Sequence, residues 1–395
     1  MSTLLPLSLV LALAAQPAPT APAAGQPKAP SAPAPAGPSD VMTVGDVKYR
    51  VETVVEKADI PWTITWDHTG ALWFTERSGK VKVLRNGELS TVYEVKDLKH
   101  RIGAEVGLMG LELHPDFKSN GYVYISYGHK TDNDVRVVRL KYDAKANALS
   151  DETIILKGMP AGPNHAGCAL RFGPDGKLYI TMGEMFQRDR AQKLDDLGGK
   201  IFRVNDDGSA PKDNPFVNTP GARPEVWVYG VRNPQGIDWQ PGTGRMFETE
   251  HGPSGELTTA GDELNFIEKG KNYGWPAIHH MQSKDGMVTP LFEWSPAIAP
   301  GSGRFYTGDL FPQWKGSFLV GALRGTSIIR ITLDPSAPDG ASAYKGQERI
   351  LTGFGRIRAV ATGPDGAIYF STSNKDGRGR PAPNDDRICR IVPAK

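Results

Sequence analysis

The sequence predicts an all-β protein, a six-bladed β-propeller with four-stranded blades. Three observations carry this. A turn-plus-strand motif recurs six times along the chain. The 395 residues include 45 glycines and 32 prolines, and the strand-like segments between them are short, the composition of a turn-dense β fold. Strand-like segments at Tyr49 to Val55 and Arg387 to Val392 are placed to share one blade, which removes an open sheet edge.

The first copy of the motif is Asp67-His-Thr-Gly-Ala-Leu-Trp-Phe-Thr75. Copies follow at His114 to Ser126, Gly173 to Thr181, Gln240 to Thr249, Phe311 to Val320 and Gly363 to Ser371. Each pairs a tight turn with an alternating β-branched and aromatic run. A spacing of roughly 50 to 70 residues fits one four-stranded blade per copy. Two packed β-sandwiches are the rival fold, and they do not require regular repeats. The longer interval between copies four and five implies loops on one face. Leu194 to Lys200 reads as a turn or two of helix.

The ends divide the chain into three parts. Residues 1–15, with an apolar run from Leu4 to Ala15 and small residues at Ala12-Leu13-Ala14, read as a signal peptide. The run is too short to span a bilayer. Residues 16–40 are almost all Ala, Pro, Gly, Ser and Gln and read as a flexible linker. Residues 41–395 then form a single propeller domain. The expected location is periplasmic or secreted, with no membrane span. A net charge of +2 offers no bulk attraction for nucleic acid. The two cysteines, Cys168 and Cys389, lie far apart, and their spacing specifies no disulfide.

Propellers place ligands at the mouth of the central channel, so polar residues just outside strands are the candidates. Tyr229-Gly-Val-Arg-Asn-Pro-Gln-Gly236, Glu250-His-Gly-Pro253 and Gly261-Asp-Glu-Leu-Asn265 supply an arginine, an amide pair, turn carbonyls and carboxylates. These groups suit a polyanion together with a hard cation such as calcium. His165 precedes the third motif strand and is a candidate general base. Glu184 ends that strand and is placed to orient the imidazole. Arg232, with its neighbour Asn233, offers a fixed guanidinium for a developing oxyanion. Arg356 and Arg358 alternate before the last motif, and Arg324 follows the strand Ser317 to Gly321. Trp294, in the segment Phe292-Glu-Trp294, is a candidate stacking platform for a ligand. The chain has no Gly-x-Ser-x-Gly, no Gly-x-Gly-x-x-Gly after a strand and no His-Glu-x-x-His, which disfavours serine esterases, nicotinamide enzymes and zinc proteases.

Taken in order, several motifs resemble the soluble periplasmic sugar dehydrogenases that use pyrroloquinoline quinone (PQQ), in particular the aldose sugar dehydrogenase branch. They are Asn164-His-Ala-Gly167 ahead of Phe172-Gly-Pro-Asp-Gly-Lys-Leu-Tyr179, Leu197-Gly-Gly-Lys-Ile-Phe-Arg-Val204 with Asp213-Asn-Pro-Phe216, Tyr229 to Gly236, His251-Gly-Pro253, and Gly261 to Asn265 with Asn272-Tyr-Gly-Trp-Pro276. The resemblance covers roughly residues 50 to 393 and implies a six-bladed propeller. It also implies PQQ and calcium as cofactors, an aldose substrate, an external electron acceptor (cytochrome or quinone) and a monomer or dimer.

Carried over by motif, His165 matches the base that takes the sugar C1 hydroxyl proton, with hydride passing to the quinone C5. Arg232 matches the arginine on that C5 oxygen, with Asn233 beside it. Gly252 and Pro253 match the carbonyl pair on the cofactor calcium. Glu263 and Tyr273 match a second calcium site. Arg356 and Arg358 match the pair that holds the PQQ carboxylates, and Glu184 takes the place of the acid that supports the histidine. The chain departs from the family at four points. Glu105 stands where relatives have Gln contacting PQQ, Arg324 where they have Lys, Cys168-Ala169 where they have Gly-Arg, and Glu184 where they have Asp. A carboxylate beside a tricarboxylate is repelled unless it is protonated or paired. Two alternatives stay open: a calcium-dependent propeller lactonase, and a non-enzymatic propeller that binds a partner or polysaccharide.

Overall fold

The strand after each repeated turn becomes the second strand of its sheet. Leu72–Glu76, Leu178–Met182, Met246–Glu250, Phe318–Ala322 and Ile368–Thr372 are buried at every position. Such a strand is paired on both edges and covered on both faces by neighbouring sheets, so its run of β-branched and aromatic residues is apolar throughout. The turns before them need left-handed backbone, and Gly70, Gly176 and Gly366 supply it with φ of 82°, 71° and 78°.

The computed structural model describes residues 40–254 and 261–394. The expected signal peptide and all but Asp40 of the expected linker lie outside the described residues. Six antiparallel sheets form the fold, five of four strands and one of five. Blade 1 is Pro61–Trp66, Leu72–Glu76, Lys80–Arg85 and Glu88–Glu94. The first strands of blades 2 to 6 are Leu108–Leu113, Leu170–Phe172, Pro234–Trp239, Pro300–Phe305 and Ile357–Thr362. The first strands of several blades line the central channel together, through Trp62, Leu170, Gln235, Ser302 and Ala359 among others. This is the six-bladed propeller of the sequence reading.

The two ends of the chain share the last blade, as their patterning implies. Val47–Val55 pairs antiparallel with Ile388–Pro393, with Val51 opposite Ile391. Met42–Val44 adds an outer fifth strand by pairing with Val47–Val55. Between blades the core is apolar. Trp73 and Val83 of blade 1 pack with Leu111, Val123 and Ile125 of blade 2, each such side chain contributing about 1.5–3 kcal/mol by burial.

Two local expectations are corrected. The helical turn lies at Arg188–Gln192, not at 194–200, and Lys200 opens the strand Lys200–Val204. The Lys200 ammonium is fully buried and donates to the carbonyls of Arg190, Ala191 and Gly198 at 2.8, 3.2 and 2.6 Å. It therefore closes the loop from inside, as the donor to the Gly198 carbonyl and a second donor to those of Arg190 and Ala191, which also accept from Lys193 N and Gly230 N. Cys168 and Cys389 are both free and buried.

Candidate active site

Antiparallel pairing puts the start of each first strand and the end of each second strand on one face of the ring. The segments at those points build a cavity of about 510 Å³ at the channel mouth. Glu105, His165, Arg232, Asn233 and Arg356 come from chain just before first strands. Arg77, His251, Arg324 and Asp376 come from chain just after second strands. Six arginines (Arg77, Arg232, Arg324, Arg356, Arg358, Arg378) face three acids (Glu105, Asp262, Asp376) around it. The excess of positive charge suits a polyanion.

His165 lies in the irregular segment before Leu170–Phe172 and holds a left-handed φ of 57°. That conformation costs a non-glycine residue about 1–2 kcal/mol and marks a position held by its surroundings. Its Nδ1 lies 2.6 Å from Glu184 Oε2, and Glu184 is fully buried. A carboxylate accepts only, so Nδ1 carries the proton and Nε2 is the basic atom. The approach requires Gly183, where a Cβ would meet the His165 carbonyl oxygen at 2.3 Å. Ala166 N donates to Glu105 Oε2 at 3.0 Å, and Gly167 N donates to Asn233 Oδ1 at 3.3 Å.

Arg232 is 3% exposed. Its backbone N–H donates to Glu250 Oε1 at 3.0 Å and its Nη1 to the His251 carbonyl at 2.8 Å. The guanidinium also lies 5.4 Å from the Trp275 ring centre, a cation–π contact that fixes its plane. Arg358 is buried 3.8 Å over the Trp62 ring and donates to Gln235 Oε1 at 3.2 Å. Arg356 is held by Asp376 at 2.7 Å. Arg324 reaches the same cavity with an exposed side chain.

Glu105 is paired, which answers the question its position raises. It accepts from Ala166 N, from Asn233 Nδ2 at 3.3 Å and from Gln235 Nε2. Burial alone would raise its carboxyl. His251, Arg358 and His165 and the Ala166 N–H outweigh that and lower it to about 2. The carboxylate is therefore ionised, and Arg358 is its lasting counter-charge, because burial lowers the His251 imidazole below its ordinary value. Ala169 lines the narrower channel below rather than the cavity itself.

The four residues matched to calcium come together. Gly252, Pro253, Glu263 and Tyr273 line one small neighbouring cavity with Glu250. Glu263 stands opposite Glu250 across the blade 4 strands, and Asn265 opposite Glu248. Burial, then mutual repulsion, raises the carboxyls of Glu248 and Glu263 well above their ordinary value, and burial raises Glu250 to about 8. Among the described residues, Glu248 Oε1 and Glu250 Oε2 are buried with no hydrogen-bond partner. Buried oxygens left without donors suit a hard cation. Gly252 needs to be glycine, since a Cβ would meet the Gly261 carbonyl oxygen at 1.7 Å.

Trp294 is corrected. It is 4% exposed, packs in the core of blades 4 and 5 and donates to Gln347 Oε1 at 2.7 Å, so it is no platform. The sequence reading also missed Arg77, His251, Asp376 and Arg378. The signal for three of them was present: Arg77 and His251 directly follow repeat strands, as Glu184 nearly does, and Asp376 lies four residues beyond one.

The profile of the glucose/sorbosone dehydrogenase family matches residues 58–381. The chain belongs to that family. Within it, the chain is 34% identical to the aldose sugar dehydrogenase YliI of Escherichia coli, over 86% of this chain and 94% of the relative. It is 27% identical to quinoprotein glucose dehydrogenase B of Acinetobacter calcoaceticus, over 86% of this chain and 88% of that protein. The PQQ-bound aldose sugar dehydrogenase of Streptomyces coelicolor superposes with a TM-score of 0.76 at 32% identity, covering 88% of this chain and 98% of that one. No helix among the described residues of this glucose/sorbosone dehydrogenase family member is long and apolar enough to cross a membrane.

Proposed function

We propose that this chain oxidises aldoses at C1 to the lactone with PQQ and calcium, and passes the electrons to an external acceptor, a cytochrome or quinone. The observation that carries the reading is the His165–Glu184 pair at the edge of a cavity walled by six arginines. When bound, PQQ supplies a hydride-accepting quinone and calcium a Lewis acid.

The chain's own residues do the rest. Glu184 holds the imidazole through Nδ1, and His165 takes the C1 hydroxyl proton at Nε2. Arg232, fixed by the His251 carbonyl and Trp275, supplies positive charge where negative charge develops. Arg324, Arg356 and Arg358 hold the cofactor carboxylates, and Asn233 and Glu105 position the loops that meet there. Gly252, Pro253, Glu263 and Tyr273 hold calcium. A periplasmic or secreted location rests on the apolar run in residues 1–15.

The lactonase alternative needs carboxylates open to a metal in the channel, and the three at its mouth are taken up instead: Glu105 by Ala166 N and Gln235 Nε2, Asp262 by Gly252 N and Ala299 N, and Asp376 by Arg356. The binding-protein alternative rested on Glu105 and Ala169. Glu105 is satisfied where it stands, and Ala169 leaves the arginines of the cavity in place.

Titrating calcium-loaded apoprotein with PQQ, then adding glucose and an electron-accepting dye, tests the reading. Saturable dye reduction that requires both cofactors, and that falls by about 100- to 10,000-fold in His165→Ala, is expected. Absence of PQQ binding overturns it.

A further inference from the structure

The cavity has an aromatic wall that the repeated motifs do not announce. Phe186 is the one aromatic among the large apolar side chains exposed in the described residues, at 48%. Its ring lies 4.0 Å from the His165 imidazole, tilted by 39°, and it lines the cavity. The placement is built in. Met185 and Phe186 both hold left-handed φ, 58° and 59°, a costly conformation for side chains of that size. The Phe186 N–H donates to Glu184 Oε2 at 2.8 Å, and the same oxygen accepts from His165 Nδ1 at 2.6 Å. One carboxylate oxygen thus sets both the base and the ring beside it. The other aromatic candidates near the mouth are taken up elsewhere: Trp275 is buried against Arg232, and Trp294 is in the core.

We infer that Phe186 is the platform for the aldose ring and the residue that selects among sugars. The inference rests on the function proposed above and adds its substrate class. A pyranose with every hydroxyl equatorial, gluco or xylo, presents only C–H bonds on its faces, and an apolar ring covers such a face without stranding a polar group. A sugar with an axial hydroxyl at C2 or C4 turns that group toward one face, where Phe186 offers no partner. Phe186 also shields one side of the imidazole.

The test compares Phe186→Ala, Phe186→Leu and Phe186→Tyr with the wild type, all loaded with PQQ and calcium. KM and kcat are measured for glucose, xylose, mannose and galactose, and PQQ affinity by calorimetry. Loss of the ring in the Ala and Leu variants is expected to raise KM for glucose and xylose by about tenfold or more. It should bring the four sugars close together, with PQQ affinity unchanged. The Tyr variant keeps the ring and should keep the preference for the all-equatorial sugars. The Leu variant fills the same space should the Ala variant fold poorly. Wild-type turnover with discrimination unchanged in Ala and Leu overturns this inference alone. No turnover of any aldose by the wild type overturns the proposed function, and this inference with it.

Discussion

Replacing Glu105 with Gln separates stability from cofactor affinity at one residue. The carboxyl lies among donors only: Ala166 N, Asn233 Nδ2 and Gln235 Nε2. Burial by itself raises it, but the surrounding positive charge and N–H groups lower it from 4.5 to about 2. That fall corresponds to at most about 3 kcal/mol of folding free energy. The contribution is complete above about pH 4.5 and is lost as pH falls toward 2, because a depressed acid stabilises only while ionised. Gln imitates the protonated carboxyl: it lacks the charge and turns an N–H toward other donors. Glu105→Gln is therefore expected to lose about 1–3 kcal/mol at pH 7, less than the whole shift because the His251 share of it fades as that imidazole loses its proton, with the gap narrowing at pH 3.5. The same change removes a negative charge from a site proposed to take a tricarboxylate, so PQQ affinity should rise. Urea denaturation of the apoprotein at both pH values, with PQQ titration at pH 7, reads both effects. A variant within about 0.5 kcal/mol of the wild type at pH 7, or one that binds PQQ more weakly, refutes the reasoning.

Arg358→Leu removes the guanidinium stacked on Trp62 and should weaken PQQ binding by about 10- to 100-fold, the range of a charge-assisted hydrogen bond, with a smaller salt dependence in equilibrium titration. Stripping the proposed calcium with a chelator should lower the melting temperature, since the buried Glu250 oxygen that lines its site then loses a counter-charge; calcium that leaves the melting temperature unchanged counts against the site. Lys200→Met removes the donor to the Gly198 carbonyl, while the Arg190 and Ala191 carbonyls keep Lys193 N and Gly230 N, and should cost about 1–3 kcal/mol, read by urea denaturation. Loop 184–199 should also become more open to proteolysis.

The architecture was legible because a propeller repeats one local solution. A turn glycine and a β-branched run recur in each copy, and copy number reads directly as blade number. Ring closure was legible for the same reason, since Tyr49 to Val55 and Arg387 to Val392 both carry strand patterning and flank the six copies at the two ends of the chain. Local patterning failed at Leu194 to Lys200, where a buried ammonium overrides the helical pattern, and at Trp294, where an aromatic next to a loop turns inward to a core of Phe247, Phe305 and Phe318.

The sequence by itself determined the blade number, the closure and the candidates His165, Glu184, Arg232 and the arginine pair, because these lie in motifs with their own local signal. Only the tertiary structure decided which of them meet. His165 and Glu184 are nineteen residues apart and could be placed together by motif. Glu105 and Gln235 are 130 residues apart, and Arg358 and Gln235 are 123 apart. No local pattern encodes such distances. They follow from the ring, which returns every blade to one mouth and so sets the charge and the hydrogen bonds each side chain experiences there.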